Sequence, residues 1–576
     1  MSSTFPPRVP PEPPPTEDTF TADEIAALSP YFTNTDRPVF AITNLPETVK
    51  GALFARYSRS AKSLRRLFLD EFVGQVGRSG DRSGRETPPV TAVGAERADK
   101  LFARVLSEYG DDSVAQLGGA HVACEGVSNV LTKVLEWGRL MAYLEQSTRY
   151  VPYTNRPHGR WKYHVPAELG AGALRDRFVQ TLDLAFETYA RWIPAAEAHF
   201  RQRYPKTPED SDAVYRSVIR AKALDTLRGL LPAATTSNVG LFGTGQAYEA
   251  LLMRMFAHPL EESRLCAAAM LAELRQVIPA FLARVDQPAR GARTIDYLAT
   301  TRASFEATAA PRLARSAGRD GGASPESADS TEVTLSDFDP DGEIKVVAAA
   351  LYSVSDLPDH ELLTRVRAMS VDERRTLLQA YVGDRINRRH KPGRAFERTH
   401  YRFEVVADYG AFRDLQRHRL LTLEWQPLSA RHGYVEPTAI ADIADSGPRR
   451  ARADWREVMD RSAELYEALI AAGHRDVAPY AVVMAYRVRF YMEMNAREAM
   501  HVIELRTTPQ GHPAYRRVCQ RMHTLIRDVA RHQAIADAMR FADHSEVELE
   551  RLQAERGMEK KRSQRAEPNA SPPERS

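Results

Sequence analysis

The chain has 576 residues, 43% of them hydrophobic, which suits two or three domains with a packed core in each. Lys and Arg number 79 against 76 Asp and Glu, a formal net charge of +3, and this near balance speaks against a dedicated nucleic-acid binder. Three widely spaced cysteines, Cys124, Cys266 and Cys519, form neither a CxxC metal site nor a disulfide framework. With no signal-peptide core and no apolar run near the ~20 residues of a membrane span, they fit a reduced, soluble, cytoplasmic setting.

The Pro-rich, polar start is expected to be disordered over residues 1–36. A first folded region is expected over 37–310. Within it SGDRSG (Ser79 to Gly84) reads as a loop rather than a phosphate cradle, and no Walker or GxGxxG pattern occurs. From Val127 to Glu145, Val130, Leu131, Val134 and Leu135 recur at helical spacing. The segment EQSTRY (Glu145 to Tyr150) follows. Its hydroxyl, Ser147, and its guanidinium, Arg149, can converge on a phosphate from an irregular loop; taken alone it reads equally as a turn.

A stretch rich in Ser, Gly and Asp reads as a linker over 311–343. The second region, 344–545, opens with an apolar run, Lys345 to Ser355, that predicts a strand. Tyr401, Phe403 and Val405 alternate in a second strand. Phe412 and Leu415 then mark a short helical stretch leading to Arg417-His418-Arg419. Two guanidinium forks around an imidazole suit a phosphate or pyrophosphate, although such a tripeptide alone reads as a solvated turn. Helical patterns cover Trp455–Ala472 and Ala514–Ala538.

Between them lies NAREAMHVIELR (Asn495 to Arg506). Asn495 is a candidate N-cap, Ala496, Met500 and Ile503 form an apolar stripe, and Arg497 and His501 share another face. At ~100° per residue Arg506 is about half a turn out of phase with Arg497, so periodicity does not bring these arginines to one point. An ordinary amphipathic helix is an equal reading of this segment. Glu397 reads as either a ligand-facing or a solvated carboxylate. The histidines lack metal-ligand spacing, the cysteines lack a neighbouring base, and the tail is expected to be disordered over 546–576.

The two regions also resemble each other. Each has a Ser-x-Arg step, Ser147 with Arg149 and Ser429 with Arg431. Each has an Arg four residues before a Pro, Arg228 with Pro232 and Arg475 with Pro479, and internal duplication is the economical explanation. Taken in order, the Arg-His-Arg, Ser-x-Arg, Arg-x-x-x-Pro and Asn-x-Arg motifs resemble those of the flavin-dependent (alternative) thymidylate synthase family. The chain is similar to a divergent tandem member.

That resemblance implies an α+β fold of two tandem thymidylate-synthase-complementing-protein-like domains, helix-rich with a central sheet each. It implies FAD, dUMP, methylenetetrahydrofolate and NADPH as cofactor and substrates, reductive methylation of dUMP to dTMP, and a homodimer mimicking the family tetramer. On the flavin side it places Glu397, Arg417, His418, Arg419, Asn495, Arg497 and His501. Arg506 falls at the pyrimidine-activating arginine and Arg475 at a nucleotide-phosphate arginine. The second-half loop LEWQPLSARHGY carries two extra residues and displaces Ser429 and Arg431.

The first half shows the reverse pattern. Glu145, Gln146, Ser147, Arg149 and Tyr150 match the nucleotide loop without a gap, and Arg228 matches the phosphate arginine. Trp137 and Gly138 replace Arg and His, leaving Arg139. Gln116 replaces the flavin-side Glu, Thr244 and Gln246 replace Asn and Arg, and Met255 replaces the activating arginine, with Arg254 adjacent. In the family these two sets of residues come from different subunits. The resemblance therefore implies a composite site: Ser147, Arg149 and Arg228 on the nucleotide phosphate, with Arg417 to Arg419, Asn495, Arg497 and Arg506 on flavin and base. The competing classes are a catalytically retired relative that binds flavin or nucleotide, and an arginine-based nucleic-acid binder.

Overall fold

The computed structural model describes residues 19–36, 40–57, 62–73, 116–314 and 332–560, apart from 446, 448, 547, 548, 550, 553 and 558. Its strands are β1 (Gly119–Ser128), β2 (Met141–Glu145), β3 (Thr236–Thr244), β4 (Val333–Phe338), β5 (His400–Asp408), β6 (Thr422–Trp425) and β7 (Arg487–Asn495). They form a three-stranded sheet, β1-β3-β2, and a four-stranded sheet, β4-β5-β7-β6. The second sheet is antiparallel, with Val405 opposite Phe490 and Leu423 opposite Met492. Along β7 buried and half-buried residues alternate, as a strand with one face on a core requires.

The duplication is visible in the local structure. β1 and β5 each run into a short helix, Asn129–Leu135 and Tyr409–Leu415, whose first turn is capped by Ser128 or Asp408. β3 and β7 run into Gly245–Phe256 and Ala496–Arg506, capped by Thr244 and Asn495. In each case a side-chain oxygen accepts an otherwise unpaired N–H of the helix start. Omitting β4, the two sheets share one strand order.

The chain divides into two compact units. One draws on Met1–Cys124, Leu140–Leu144 and Gly240–Arg315; the other on Glu125–Arg139, Glu145–Val239 and Ser316–Ser576. Within the second unit, equivalent segments of the two repeats exchange backbone hydrogen bonds. Ala233 N–H donates to Val482 O (2.8 Å) and Met484 N–H to Leu231 O (2.9 Å), while Ala234 N–H donates to Tyr480 O (3.1 Å) and Ala485 N–H to Gly229 O (3.0 Å). This two-fold-like exchange makes Arg228 and Pro479 equivalent positions of the two repeats. The helices Ala173–Arg203 and Ala451–Ala471 pack together around the buried Trp192 and Trp455. Gly229 lets the Arg228–Leu230 turn approach the Ala451–Ala471 helix, because a Cβ there would lie 2.6 Å from the Trp455 ring.

Several local expectations are corrected. Lys345–Ser355 lies mainly in a helix, Gly342–Tyr352, burying Val346, Val347 and Ala348; a short apolar run does not distinguish helix from strand by periodicity. The edge strand is β4 instead, inside the expected linker, with Val333 and Leu335 buried between exposed neighbours and masked by polar composition. The pattern from Val127 to Glu145 divides into helix Asn129–Leu135 and β2, broken near Trp137 and Gly138. The pattern Ala514–Ala538 divides into Pro513–Asp528 and Gln533–Ala538, with Arg531 at φ +62 between them. At the start, Ala22–Leu28 is a helix under a Thr21–Glu24 capping box. In the tail, residues 554–557 are helical and the Arg556 fork reaches Asp210 at 2.7 Å, a tether that composition does not reveal. Ser79–Gly84, residues 1–18, 316–331 and 561–576 lie outside the described residues. Among the described residues, no helix is long and apolar enough to cross a membrane.

Candidate functional site

The segment after β2 is a tight turn. Ser147 Oγ accepts the Arg149 N–H (3.3 Å), and the Tyr150 and Val151 N–H groups both reach Ser147 O. The Arg149 fork is bidentate on Asp225, with Nε 2.9 Å from Oδ1 and Nη2 2.8 Å from Oδ2. Burial alone would raise the Asp225 carboxyl; Arg149 outweighs this and holds it below the usual range. Arg149 Nη1 also donates to Gln510 O (3.3 Å) and to the Tyr515 hydroxyl (3.5 Å). Arg228 follows the Asp212–Leu227 helix and is 5% exposed, yet its Nη2 has no hydrogen-bond acceptor among the described residues. Gly410 admits it, since a Cβ there would lie 2.9 Å from that nitrogen.

The second repeat meets this turn. The helix Tyr409–Leu415 presents Arg413, whose Nη2 donates to Glu145 Oε1 at 2.5 Å. Lys133 Nζ lies 3.4 Å from the other Glu145 oxygen, and Arg417 lies 3.9 Å from it. Burial would raise Glu145, but Arg413, Lys133 and Arg417 together bring it down to about 2. A cavity of about 40 Å3 is lined by Glu145, Ser147, Arg149, Arg228, Arg413 and Arg417 among others, with Gln146 also in its wall. A second cavity, of about 400 Å3, shares Arg228 and Gly410 and is otherwise largely apolar, with Val435, Pro437, Trp455 and Met484.

Arg506 ends the Ala496–Arg506 helix. Its Nε donates to His418 Nε2 (2.9 Å), its Nη2 to Asp414 O (2.5 Å), and its guanidinium carbon lies 5.4 Å from the Tyr515 ring centre. Asp414 also receives Arg417 (2.5 Å); burial would raise its carboxyl, but Arg417, Arg506, Arg228 and Arg149 hold it well below the usual carboxylate range. His418 is pushed down to about 4, chiefly by burial. Glu498 lies 3.7 Å from His418 Nδ1 and 3.2 Å from His501 Nδ1, and these histidines outweigh burial to bring it down to about 2. His418, Glu498 and His501 could hold a metal ion by ligand type; the Arg506 N–H on His418 and the His501–Glu498 contact account for the cluster without one. Beyond it, Arg497 donates to Pro392 O (3.0 Å) and lies 3.6 Å from Glu397, which Arg394 also holds at 2.9 Å.

The structure thus brings Glu145, Gln146, Ser147, Arg149, Arg228 and Arg417 to one cavity and ties His418 to Arg506. Arg497 turns instead toward Glu397, as the helical phase requires. Asn495 caps its own helix through Glu498 N–H, and Arg419 is exposed. Arg475 is exposed and lies in the field of Tyr466 with Arg431, and the inter-repeat exchange makes Pro479, not Arg475, the repeat equivalent of Arg228. The Ser429–Arg431 turn repeats Ser147–Arg149 (3.4 Å), but Arg431 points to the surface carboxylate of Glu467. Sequence reasoning missed Asp225, Arg413, Asp414 and Glu498. The available signals were helical spacings, Asp225 three residues before Arg228 and Arg413 four before Arg417. Cys519 is fully buried and its thiol is pushed up to about 12, which does not suit a nucleophile.

Fold and site together define a duplicated α+β protein with an arginine- and carboxylate-rich pocket built from both repeats. The sequence model of the thymidylate synthase complementing protein family matches residues 64–280 and 334–530, and the chain belongs to that family as a divergent tandem member. A Chlamydia muridarum relative called UPF0159 protein is 38% identical over 541 residues, covering 94% of this chain and 98% of its own. A flavin-dependent thymidylate synthase from Clostridium tetani is 26% identical over 190 residues, covering 32% of this chain and 69% of its own. The crystal structure of the UMP/dUMP methylase PolB from Streptomyces cacaoi, bound with 5-Br dUMP, is 23% identical and covers 37% of this chain and 97% of that one, with a TM-score of 0.28.

Proposed function

We propose that this protein is a flavin-dependent thymidylate synthase that converts dUMP to dTMP with methylenetetrahydrofolate and NADPH at a site assembled from both repeats. The observation that carries this reading is the convergence of the Ser147–Arg149 turn and Arg228 with Arg413, Asp414 and Arg417 around one cavity, beside Arg506. The named family relative from Clostridium tetani supports the chemistry.

In this reading Ser147, Arg149 and Arg228 grip the dUMP phosphate, with Glu145 and Gln146 shaping the same loop. The buried, unpartnered Nη2 of Arg228 fits an anionic oxygen, because leaving such a donor unsatisfied costs about 1–3 kcal/mol. Arg417, Arg419, Arg497 and His501 supply cationic and N–H donors that fit the pyrophosphate and ring edges of FAD, with His418, Asn495 and Glu397 around them. Bound flavin supplies the two electrons that NADPH provides. Arg506, held by His418 and Asp414, would lay a fixed positive charge beside the pyrimidine and stabilise the enolate-type negative charge that makes C5 nucleophilic toward the incoming carbon. The C5 hydrogen leaves as a proton. A homodimer would place four repeats together in imitation of the family tetramer.

Tritium release from 5-tritiated dUMP, measured with FAD, NADPH and methylenetetrahydrofolate, tests the reading. Release by the wild type and its loss in Arg506→Ala is the expected result. FAD and dUMP binding without release would assign the chain to a retired, ligand-binding relative. Failure to bind either ligand would overturn the proposal.

A further inference from the structure

We propose that Glu498 is a positioning residue: it fixes the tautomer of His418 and, through His418, the orientation of Arg506. This rests on the reading of Arg506 as the arginine that acts on the nucleotide base, but its geometric core stands apart from that reading.

An arginine side chain only donates hydrogen bonds and stays charged throughout the physiological range. The 2.9 Å contact from Arg506 Nε therefore requires a lone pair on His418 Nε2. A neutral ring with a bare Nε2 must carry its proton on Nδ1. Nδ1 is the edge that faces Glu498 Oε1 at 3.7 Å, and a carboxylate there favours the Nδ1–H form by electrostatics rather than by a short bond. The other Glu498 oxygen is anchored by His501 Nδ1 at 3.2 Å, and the Glu498 backbone N–H is held by the Asn495 cap at 2.9 Å. The groups facing His418 are thus Glu498, His501 and Arg506, and 94% of the Glu498 surface is buried along with His418 (6% and 9% exposed). Arg506 is held by hydrogen bonds to His418 Nε2 and Asp414 O, with the Asp414 carboxylate 3.6 Å from Nη1, and the His418 tautomer decides whether the Nε bond can form. The equivalent helix of the first repeat, Gly245–Phe256, carries Ala247 at the Glu498 position and Met255 at the Arg506 position; carboxylate and arginine are absent together.

The informative variant is Glu498→Gln. Glutamine removes the charge that favours the Nδ1–H form; with its carbonyl oxygen kept on His501 Nδ1, its NH2 group faces His418 Nδ1, which moves the ring proton to Nε2 and sets it against the Arg506 Nε–H, two donors facing each other. By analogy with other His-orienting carboxylates, kcat for tritium release should fall on the order of 100-fold while KM for dUMP stays within about twofold. Glu498→Asp should recover at least part of the loss. Because Glu498 acts through His418, the double variant His418→Gln, Glu498→Gln should be no slower than His418→Gln alone; additive losses would overturn the proposal. So would a Glu498→Gln enzyme within about twofold of the wild-type kcat.

A readout independent of turnover is the 15N chemical shift of His418 in histidine-labelled protein, assigned by comparison with His418→Gln. Nε2 is expected unprotonated in the wild type and protonated in Glu498→Gln. If the wild type releases no tritium yet shows this switch, the synthase reading falls and the positioning role stands. If Nε2 is protonated in the wild type, the positioning role falls whatever the activity.

Discussion

The two repeats keep the same frame and have diverged on opposite sides of it. In the second, Glu397 and Arg497 form an ion pair at 3.6 Å; in the first, Gln116 and Gln246 stand at the matching positions and share an amide hydrogen bond of 2.7 Å. Glu498, His501, Glu504 and Arg506 on the second-repeat helix correspond to Ala247, Ala250, Met253 and Met255 on the first, a charged face turned largely apolar. The nucleotide-type turn runs the other way. Ser147–Arg149 is backed by the buried Asp225, whereas Ser429–Arg431 ends on the surface beside Glu467. Caps, strand order and core helices survive in both because burial and hydrogen-bond satisfaction constrain them independently of any ligand.

The sharpest way to break this comparison is Arg506→Ala, expected to lower kcat for tritium release about 10³-fold, since under the proposed function it removes the charge assigned to the reacting base. Of similar size, but read by urea unfolding, is Glu504→Ala. Arg385 and Glu504 form a buried fork (2.8 and 2.6 Å), so the stranded guanidinium should cost about 3–5 kcal/mol. Arg228→Ala should weaken dUMP binding roughly 10–100-fold by calorimetry, the loss of one or two charged hydrogen bonds.

Stability against pH probes the same interior. His418, lowered from its ordinary 6.5 to about 4, binds fewer protons folded than unfolded between those values. Stability should therefore be present above pH 6.5 and decline as pH falls toward 4, with a shallower slope in His418→Asn. Glu145 and Glu498, both brought down to about 2, add a further loss below pH 4.5. The smallest effect is the control: Arg431→Ala and Arg475→Ala, on the surface of the second repeat, should leave dUMP affinity within about twofold, as exposed charges do. A large loss in either would mean that both nucleotide-type turns work.

The order of the motifs and the internal repeat were legible in the amino-acid sequence, because chemistry-bearing residues at fixed spacing are local information; these determined the family and the tandem α+β class. The phase of Arg497 against Arg506 was legible too, for helical geometry alone separates them. The tertiary structure alone decided which arginines converge. Glu145 and Arg413 are 268 residues apart, and no periodicity reports such a contact. Only the backbone exchange between repeats makes Pro479 rather than Arg475 the repeat equivalent of Arg228. Likewise the apolar run at Lys345 became a helix and the polar stretch at Val333 a strand, since an edge strand needs a neighbour to hydrogen-bond, and that neighbour, β5, arrives more than sixty residues later.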